Sequence, residues 1–315
     1  MMGGHMMNPH GEPINSGDRP VIGVVGLGVM GREMASRLAR GGSSVQGFDQ
    51  NPAVWDEATL NDVLRAESLP SMARTAQILW LSLPGPTEVA AVLDAAATDA
   101  APGTLIADTS TIDPVSAQQL AEQASSKGLV YAHLPVIGGQ VGARAGTLTV
   151  IVGAPDAARP HLEPLLAQVA ATVHWVDNPK HAATLKLLNN LVSLGNTLVF
   201  AEALALGAKA GLSTTAIYDV LHTGSAQSQA MDRRWVVNIQ PGHYDPGFTI
   251  DLALKDLRLA TTYARDLGMP LFHGALTEQM YRLLQADGLG GRDVAAVVPW
   301  WADQTHVSIG GERSS

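Results

Sequence analysis

Six residues, Gly26-Leu27-Gly28-Val29-Met30-Gly31, lie between two patterns that demand different structures. Before them, Val21 to Val25 is a short β-branched run that reads as a buried strand. After them, Met34, Ala35 and Leu38 recur at helical spacing. A strand that passes into a helix through G-x-G-x-x-G has few ways to fold. The first glycine permits the tight turn, the second lets the backbone approach a pyrophosphate, and the third lets helix and strand pack closely. The helix N-terminus then offers N–H groups and a positive dipole end to phosphates. In a chain with 32 glycines the motif alone says little. The strand before it, the helix after it and an acid closing the next strand make it specific for a dinucleotide. That acid is Asp49, which ends Ser44-Val45-Gln46-Gly47-Phe48-Asp49.

Length and composition narrow the rest. The 315 residues allow one large or two ordinary domains, and 46% hydrophobic with 16% charged residues describes a globular protein. A net charge of −9 without a basic run argues against nucleic acid or an anionic membrane as partner. There is no cysteine, so disulfides and thiol chemistry are excluded. Residues 1–18 show no basic segment followed by an apolar run, so a flexible tail and a cytoplasmic location are expected. No metal site is expected.

Strand and helix patterns alternate through the first half. Strands are expected at Ile78 to Leu83, Thr104 to Asp108, Val130 to His133, Leu148 to Val152 and Thr172 to Val176. Helices are expected from Thr87 to Ala101 and from Asp113-Pro114 to Lys127. That alternation means βαβ units and a mostly parallel sheet, which binds ligands beyond the carboxyl ends of its strands. Leu83-Pro84, Thr109-Ser110-Thr111 and Pro135 to Gly139 all follow strands and should converge on one crevice. Near Asn178-Pro179 strand signals stop. A helix of nearly thirty residues follows, with Leu191 to Ala208 as its most apolar part, read as buried and not as a membrane span. Further helices are expected at Thr214 to His222 (Ser213 as N-cap), Gln227 to Asn238, Asp251 to Leu267 and Leu276 to Ala286. The expected fold class is therefore α/β: a doubly wound, mostly parallel, Rossmann-type sheet joined by a long interdomain helix to an all-helical C-terminal domain. The expected parts are a dinucleotide-binding domain at 19–178, the interdomain helix at 179–209, a helical domain at 210–305 and a second flexible tail at 306–315.

On the long helix, Lys186, Asn190, Ser193 and Thr197 form one polar stripe among leucines. A solvated face usually carries several charges, and this one carries a single lysine. A lysine in a mostly apolar cleft has its charged form disfavoured, which suits proton transfer. Asn190, one turn on, could orient Lys186 or a substrate oxygen. By spacing alone, Lys255 and Asp256 read as surface charges on an amphipathic helix.

Residues 20–290 resemble the β-hydroxyacid dehydrogenase family, the group that includes 3-hydroxyisobutyrate dehydrogenase and tartronate semialdehyde reductase. The carriers are the Gly26–Gly31 turn, Asp108-Thr109-Ser110-Thr111-Ile112-Asp113-Pro114, and Pro135-Val136-Ile137-Gly138-Gly139 followed by Gly142-Ala143 and Gly146-Thr147-Leu148-Thr149. Lys186 with Asn190 matches K-x-x-x-N, and Lys255-Asp256-Leu257 matches K-D-L. The resemblance implies that Lys186 and Asn190 are catalytic. It implies substrate contacts at Ile137, Gly138 and Gly139. It implies cofactor contacts at Gly26 to Gly31, Asp49, Leu83, Pro84, Thr111, Phe248 and Lys255, and so overrides the surface reading of Lys255.

The implied activity is hydride transfer between NAD(P) and a small hydroxy acid or its semialdehyde or keto form. NAD is favoured over NADP because Asp49 suits ribose hydroxyls and repels a 2′-phosphate, while Gln50 stands where NADP-preferring relatives often carry arginine. Three departures concern the substrate. Ile137 replaces a serine that helps bind the substrate carboxylate, His133-Leu134-Pro135 replaces D-A-P, and Lys180-His181-Ala182 replaces G-x-G. Isoleucine donates no hydrogen bond, which leaves an acid group to the backbone N–H groups of Gly138 and Gly139. An imine reductase-like enzyme and a catalytically silent cofactor-binding module are the alternatives; Lys186 speaks against the first, and intact Lys186 and Asn190 against the second. A homodimer or tetramer is expected, with a small-molecule substrate.

Overall fold

The computed structural model describes residues 20–56 and 60–309. The expected N-terminal tail, 1–18, lies outside them, as do residues 310–315 of the expected C-terminal one. In order, the first part of the chain forms β1 (Val21–Val25), α1 (Val29–Arg40), β2 (Ser44–Phe48), a 3-10 turn (Pro52–Asp56), β3 (Leu64–Arg65) and α2 (Leu69–Ala73). It continues with β4 (Ile78–Leu81), α3 (Pro86–Ala97), β5 (Leu105–Asp108), α4 (Pro114–Ser126), β6 (Val130–His133) and β7 (Val136–Ile137). It closes with α5 (Gly139–Ala145), β8 (Leu148–Gly153), α6 (Arg159–Val169) and β9 (Ala170–Val176).

The sheet runs β3-β2-β1-β4-β5-β6-β8-β7, with β9 paired to β8. From β3 through β6 every pairing is parallel, and β8 pairs antiparallel with β6 and β7. Helices cover both faces, which explains why the central strands are apolar throughout and do not alternate. Ile78 and Trp80 of β4 join α1 and α6 in one core, while Leu79 and Leu81 point the other way into a second core with α2, α3 and α4. Successive strand residues serve opposite faces.

Several elements escaped the sequence reading. β3 and β7 are two residues each, and α5 begins on two glycines, too little for a period to show. α6 carries Pro164 inside it. The segment Pro135 to Gly139, expected just after a strand, contains the short strand β7 and the start of α5, and Ile137 of β7 pairs with Thr149 of β8.

The second part is helical: α7 (Pro179–Lys209), α8 (Thr214–Thr223), α9 (Gln229–Arg234) extended by a π turn (Trp235–Ile239), α10 (Ile250–Asp266), α11 (Phe272–Leu284) and α12 (Val297–Thr305). Helix starts follow their caps: Ser213 Oγ accepts from the Ala216 N–H, and Ser228 and Thr249 do the same for α9 and α10. The chain divides into two compact units, up to Lys186 and from Leu187, so the division falls within α7.

α7 corrects one expectation. Its apolar length would suit a bilayer by composition. Leu194, Leu198, Ala201 and Leu204 nevertheless pack in one core with residues of α9, α10 and α11. Read from sequence as a buried helix, it is only half so. The polar Lys186, Asn190 and Thr197 are buried, whereas Leu188, Val192, Val199 and Leu206 are 51%, 60%, 66% and 73% exposed. Two residues of the polar stripe find hydrogen-bond acceptors on other elements, Lys186 on Val136 and Asn190 on Asp256, while Thr197 donates to the Ser193 carbonyl of its own helix.

Candidate active site

Strand order reverses about β1, which has β2 on one side and β4 on the other. The crevice outside the carboxyl ends at such a point is where open α/β sheets bind ligands. The glycine turn opens there. Gly26 has φ +88°, and a Cβ on it would run into the Ser82 carbonyl oxygen. A Cβ on Gly31 would run into the carbonyl oxygen of Gly26. α1 therefore starts pressed against the turn. Gly28 differs: it is exposed, and a Cβ there would meet nothing within 4 Å. No side chain caps α1. Uncapped N–H groups beside an open glycine fit the phosphates of a dinucleotide.

Asp49 lies one residue past β2 and is held by the turn itself. Its Oδ2 accepts from the Leu27 N–H at 2.7 Å, and its Oδ1 accepts from the Asn51 N–H at 2.8 Å. With Phe48, Trp55, Arg65, Ala66 and Glu67 it lines a cavity of ≈ 410 Å³.

The ends of β4 and β5 are tied together. The Leu83 N–H donates to Ser110 Oγ (3.0 Å), the Ser110 N–H donates to Asp108 Oδ1 (2.9 Å), and Thr109 Oγ1 donates to the Leu81 carbonyl (2.6 Å). Thr111 follows, half-buried. Asp108 is fully buried and its Oδ2 accepts from the Tyr131 hydroxyl at 2.6 Å. Burial first, then the Asp108 charge and hydrogen bond, push the Tyr131 hydroxyl well above its usual pKa. His133 is in register with Asp108 and its Nδ1 lies 3.6 Å from Asp108 Oδ2. An aspartate at 133 would set two carboxylates side by side in this buried place. Histidine removes that repulsion.

β7 and α5 carry Ile137, Gly138 and Gly139. Their position is locked to α1 by a buried acid. Glu33 Oε1 accepts from Arg144 Nη2 at 2.7 Å, Arg144 Nε at 3.1 Å and Gln140 Nε2 at 3.1 Å. Burial alone would raise the Glu33 pKa. The hydrogen bonds from Arg144 and Gln140 and the charges of Arg144 and Arg32 outweigh it and hold the carboxyl below the usual glutamate value. The helix behind the glycine turn and the helix behind the Gly138-Gly139 turn are thereby tied together.

Lys186 comes to the same region. Its Nζ donates to the Val136 carbonyl at 2.8 Å, next to Ile137. Within the first unit the structure thus gathers the Gly26–Gly31 turn, Asp49, Leu83, Pro84 and Thr111 at strand ends, with Ile137 to Gly139 and Lys186 joined through Val136.

Asn190, Phe248 and Lys255 belong to the second unit. Asn190 Nδ2 donates to Asp256 Oδ2 at 2.7 Å, Asn189 Nδ2 donates to Asn190 Oδ1 at 3.0 Å, and Lys255 Nζ lies 3.4 Å from Asp256 Oδ1. The buried Asp256 fixes the asparagine and pairs the lysine. The Phe248 N–H donates to Asp293 Oδ2 (3.0 Å), whose other oxygen meets Arg234 Nη1 (3.3 Å) and caps the turn at Ala295.

Sequence reasoning missed Glu33, the role of Asp256 and the pair Trp55 and Arg65. Asp256 left a signal, its place in Lys-Asp-Leu.

Comparison with known proteins agrees with this architecture. The NAD binding domain of 6-phosphogluconate dehydrogenase matches residues 21–177. The NAD-binding domain of NADP-dependent 3-hydroxyisobutyrate dehydrogenase matches residues 181–301. The chain is 33% identical to the 2-(hydroxymethyl)glutarate dehydrogenase of Eubacterium barkeri, over 92% of this chain and 97% of that one. It is 30% identical to the 2-hydroxy-3-oxopropionate reductase of Escherichia coli, over 88% and 95%. The solved 3-hydroxyisobutyrate dehydrogenase of Mycobacterium tuberculosis with L-serine superposes with a TM-score of 0.82 at 27% identity, over 90% of this chain and 99% of that one.

The Glu33 joint can be tested through stability. Glu33→Gln should cost about 1 kcal/mol near neutral pH, since Arg144 is largely exposed and the water around it screens the pair. The folded pKa of Glu33 lies below its unfolded value near 4.5. Its contribution is therefore complete above that value and lost as pH falls through the folded pKa. Urea melts should show the gap between chain and variant closing on acidification; a gap that stays constant with pH removes Glu33 from this role.

Proposed function

The chain belongs to the β-hydroxyacid dehydrogenase family and is an NAD(P)-dependent dehydrogenase of that type, and we propose that it moves a hydride between NAD and a small hydroxy acid or its semialdehyde or keto form, with Lys186 as general acid and base. One contact carries the reading: the 2.8 Å hydrogen bond from Lys186 Nζ to the Val136 carbonyl. It sets an ammonium beside the segment that would receive the substrate. In reduction Lys186 gives a proton to the carbonyl oxygen, and in oxidation it takes one from the hydroxyl. When bound, the nicotinamide supplies or accepts the hydride. Asn190, its amide oriented by Asp256, holds the substrate oxygen. Gly26 to Gly31 hold the phosphates, Leu83, Pro84, Thr111, Phe248 and Lys255 contact the cofactor, and Asp49 takes the ribose hydroxyls. Both Asp49 oxygens are fixed by backbone N–H groups, so its charge stays where a 2′-phosphate would fall. That supports NAD over NADP.

The substrate end is less polar than in relatives. Ile137 offers no donor, so the N–H groups of Gly138 and Gly139 hold an acid group alone. The exposed Leu188, Val192, Val199 and Leu206 recur on one face of α7, and we assign that face to a second copy of the chain.

Lys186→Ala should lower kcat by about 10²–10⁴ with NAD affinity nearly unchanged. Lys186→Arg should not restore it, because arginine keeps its proton. The measurements are kcat against pH and a separate NAD titration; normal kcat in the alanine variant would sink the assignment. Ile137→Ser should shift preference toward substrates with a free carboxylate next to the reacting carbon, because a site with a built donor rejects analogues that lack its partner. An unchanged ranking across a panel of hydroxy acids and their esters counts against the proposal. Light scattering should give a mass that is a multiple of 33.0 kDa, reduced to the single chain by Val199→Asp; a monomer at the outset refutes the assembly.

A further inference from the structure

The cavity beside Asp49 contains a cation that neither the fold nor the reading above employs. Arg65 ends β3, the strand that pairs with β2, and sits in register with Gly47, two residues before Asp49. Trp55 rests on Gly47: a Cβ on that glycine would lie 3.0 Å from Trp55 Cη2. Arg65 rests in turn on Trp55, its guanidinium carbon 5.6 Å from the centre of the indole. Behind the indole lies Gly47, and indole and guanidinium together line the cavity that Asp49 also lines.

The layering matters for chemistry. Stacking on an aromatic ring uses a face of the guanidinium. The N–H donors lie in its plane, around the edge, and form the fork that takes a phosphate through two parallel hydrogen bonds. The contact with Trp55 restricts the exposed Arg65 side chain, which reduces the entropy lost on binding. Among the described lining residues, two carboxylates, Asp49 and Glu67, stand against one cation, Arg65. A 2′-phosphate entering beside Asp49 is repelled by that carboxylate, and Arg65 is the described group that offsets the repulsion.

We propose that Arg65 is a cofactor-selectivity residue, the cation that admits a 2′-phosphate beside Asp49, so that the chain takes NADP as well as NAD. Asp49 and Arg65 then act in opposition: the carboxylate favours the free ribose and the guanidinium limits that preference. The inference rests on reading this cavity as the adenosine end of the dinucleotide site.

The test needs no turnover. Adenosine 5′-monophosphate and adenosine 2′,5′-bisphosphate are titrated calorimetrically into the full chain and its variants. Arg65→Gln should weaken the bisphosphate about tenfold and the monophosphate less than about threefold, the scale of charged hydrogen bonds at an exposed site. Arg65→Lys, a point charge without the fork, should fall between. Equal loss of both nucleotides would make Arg65 a wall for the adenine ring and overturn the proposal, as would no loss of either, or no bisphosphate binding to the unaltered chain. If the monophosphate also fails to bind the unaltered chain, the adenosine reading of the cavity falls with it. Asp49→Ser is the independent arm. If it leaves the ratio of the two affinities unchanged while Arg65→Gln alters it, the role given to Asp49 fails and that of Arg65 stands.

Discussion

The first unit depends on how closely α1 approaches the end of β1. A Cβ at Gly31 would collide with the Gly26 carbonyl, and Gly26 itself takes a backbone angle that other residues adopt only under strain. The two glycines let the helix begin without a gap, which points its first N–H groups and its dipole at the switch point of the sheet. Asp49 then fastens the turn to β2 by accepting the Leu27 N–H. One carboxylate thus serves the local fold and faces the cavity as well, so a change there alters the turn and the ligand pocket together.

Buried acids act as the joints of the molecule. A charge out of water is costly unless it is paired or hydrogen-bonded. Glu33, Asp256 and Asp293 each meet a cation as well as a neutral donor, and Asp108 accepts from the Ser110 N–H and the Tyr131 hydroxyl. Asp108 joins the loop after β5 to β6. Glu33 joins α1 to α5. Asp256 joins α7 to α10, and Asp293 joins α9 to the start of α10. Loops carry the groups that would meet substrate and cofactor, and these acids make the loops as rigid as the elements behind them.

α7 shows how a helix can be legible in sequence while its orientation is not. Its length, its leucines and its single polar stripe could all be read from the residues. That the stripe is not the wet side followed from its single charge, but that leucines and valines would meet water instead did not. The stripe turned inward because Lys186 found the Val136 carbonyl and Asn190 found Asp256. Leucine and valine were left on the surface.

The sequence by itself determined the alternation of strands and helices, the glycine turn, the acid at the end of β2 and the change to an all-helical second half. These rest on backbone sterics and on periods of two and 3.6 residues, which act over a few neighbours. Elements too short to show a period, β3, β7 and α5, were invisible for the same reason. Tertiary structure alone decided the partners. Glu33 and Arg144 stand 111 positions apart, Asn190 and Asp256 66, and Lys186 and Val136 50. Arg65 over Trp55 depends on β3 lying beside β2 and on the missing Cβ of Gly47. Side-chain chemistry limits what each residue can bond, but the order of strands in the sheet and the packing of helices choose which candidate comes within reach.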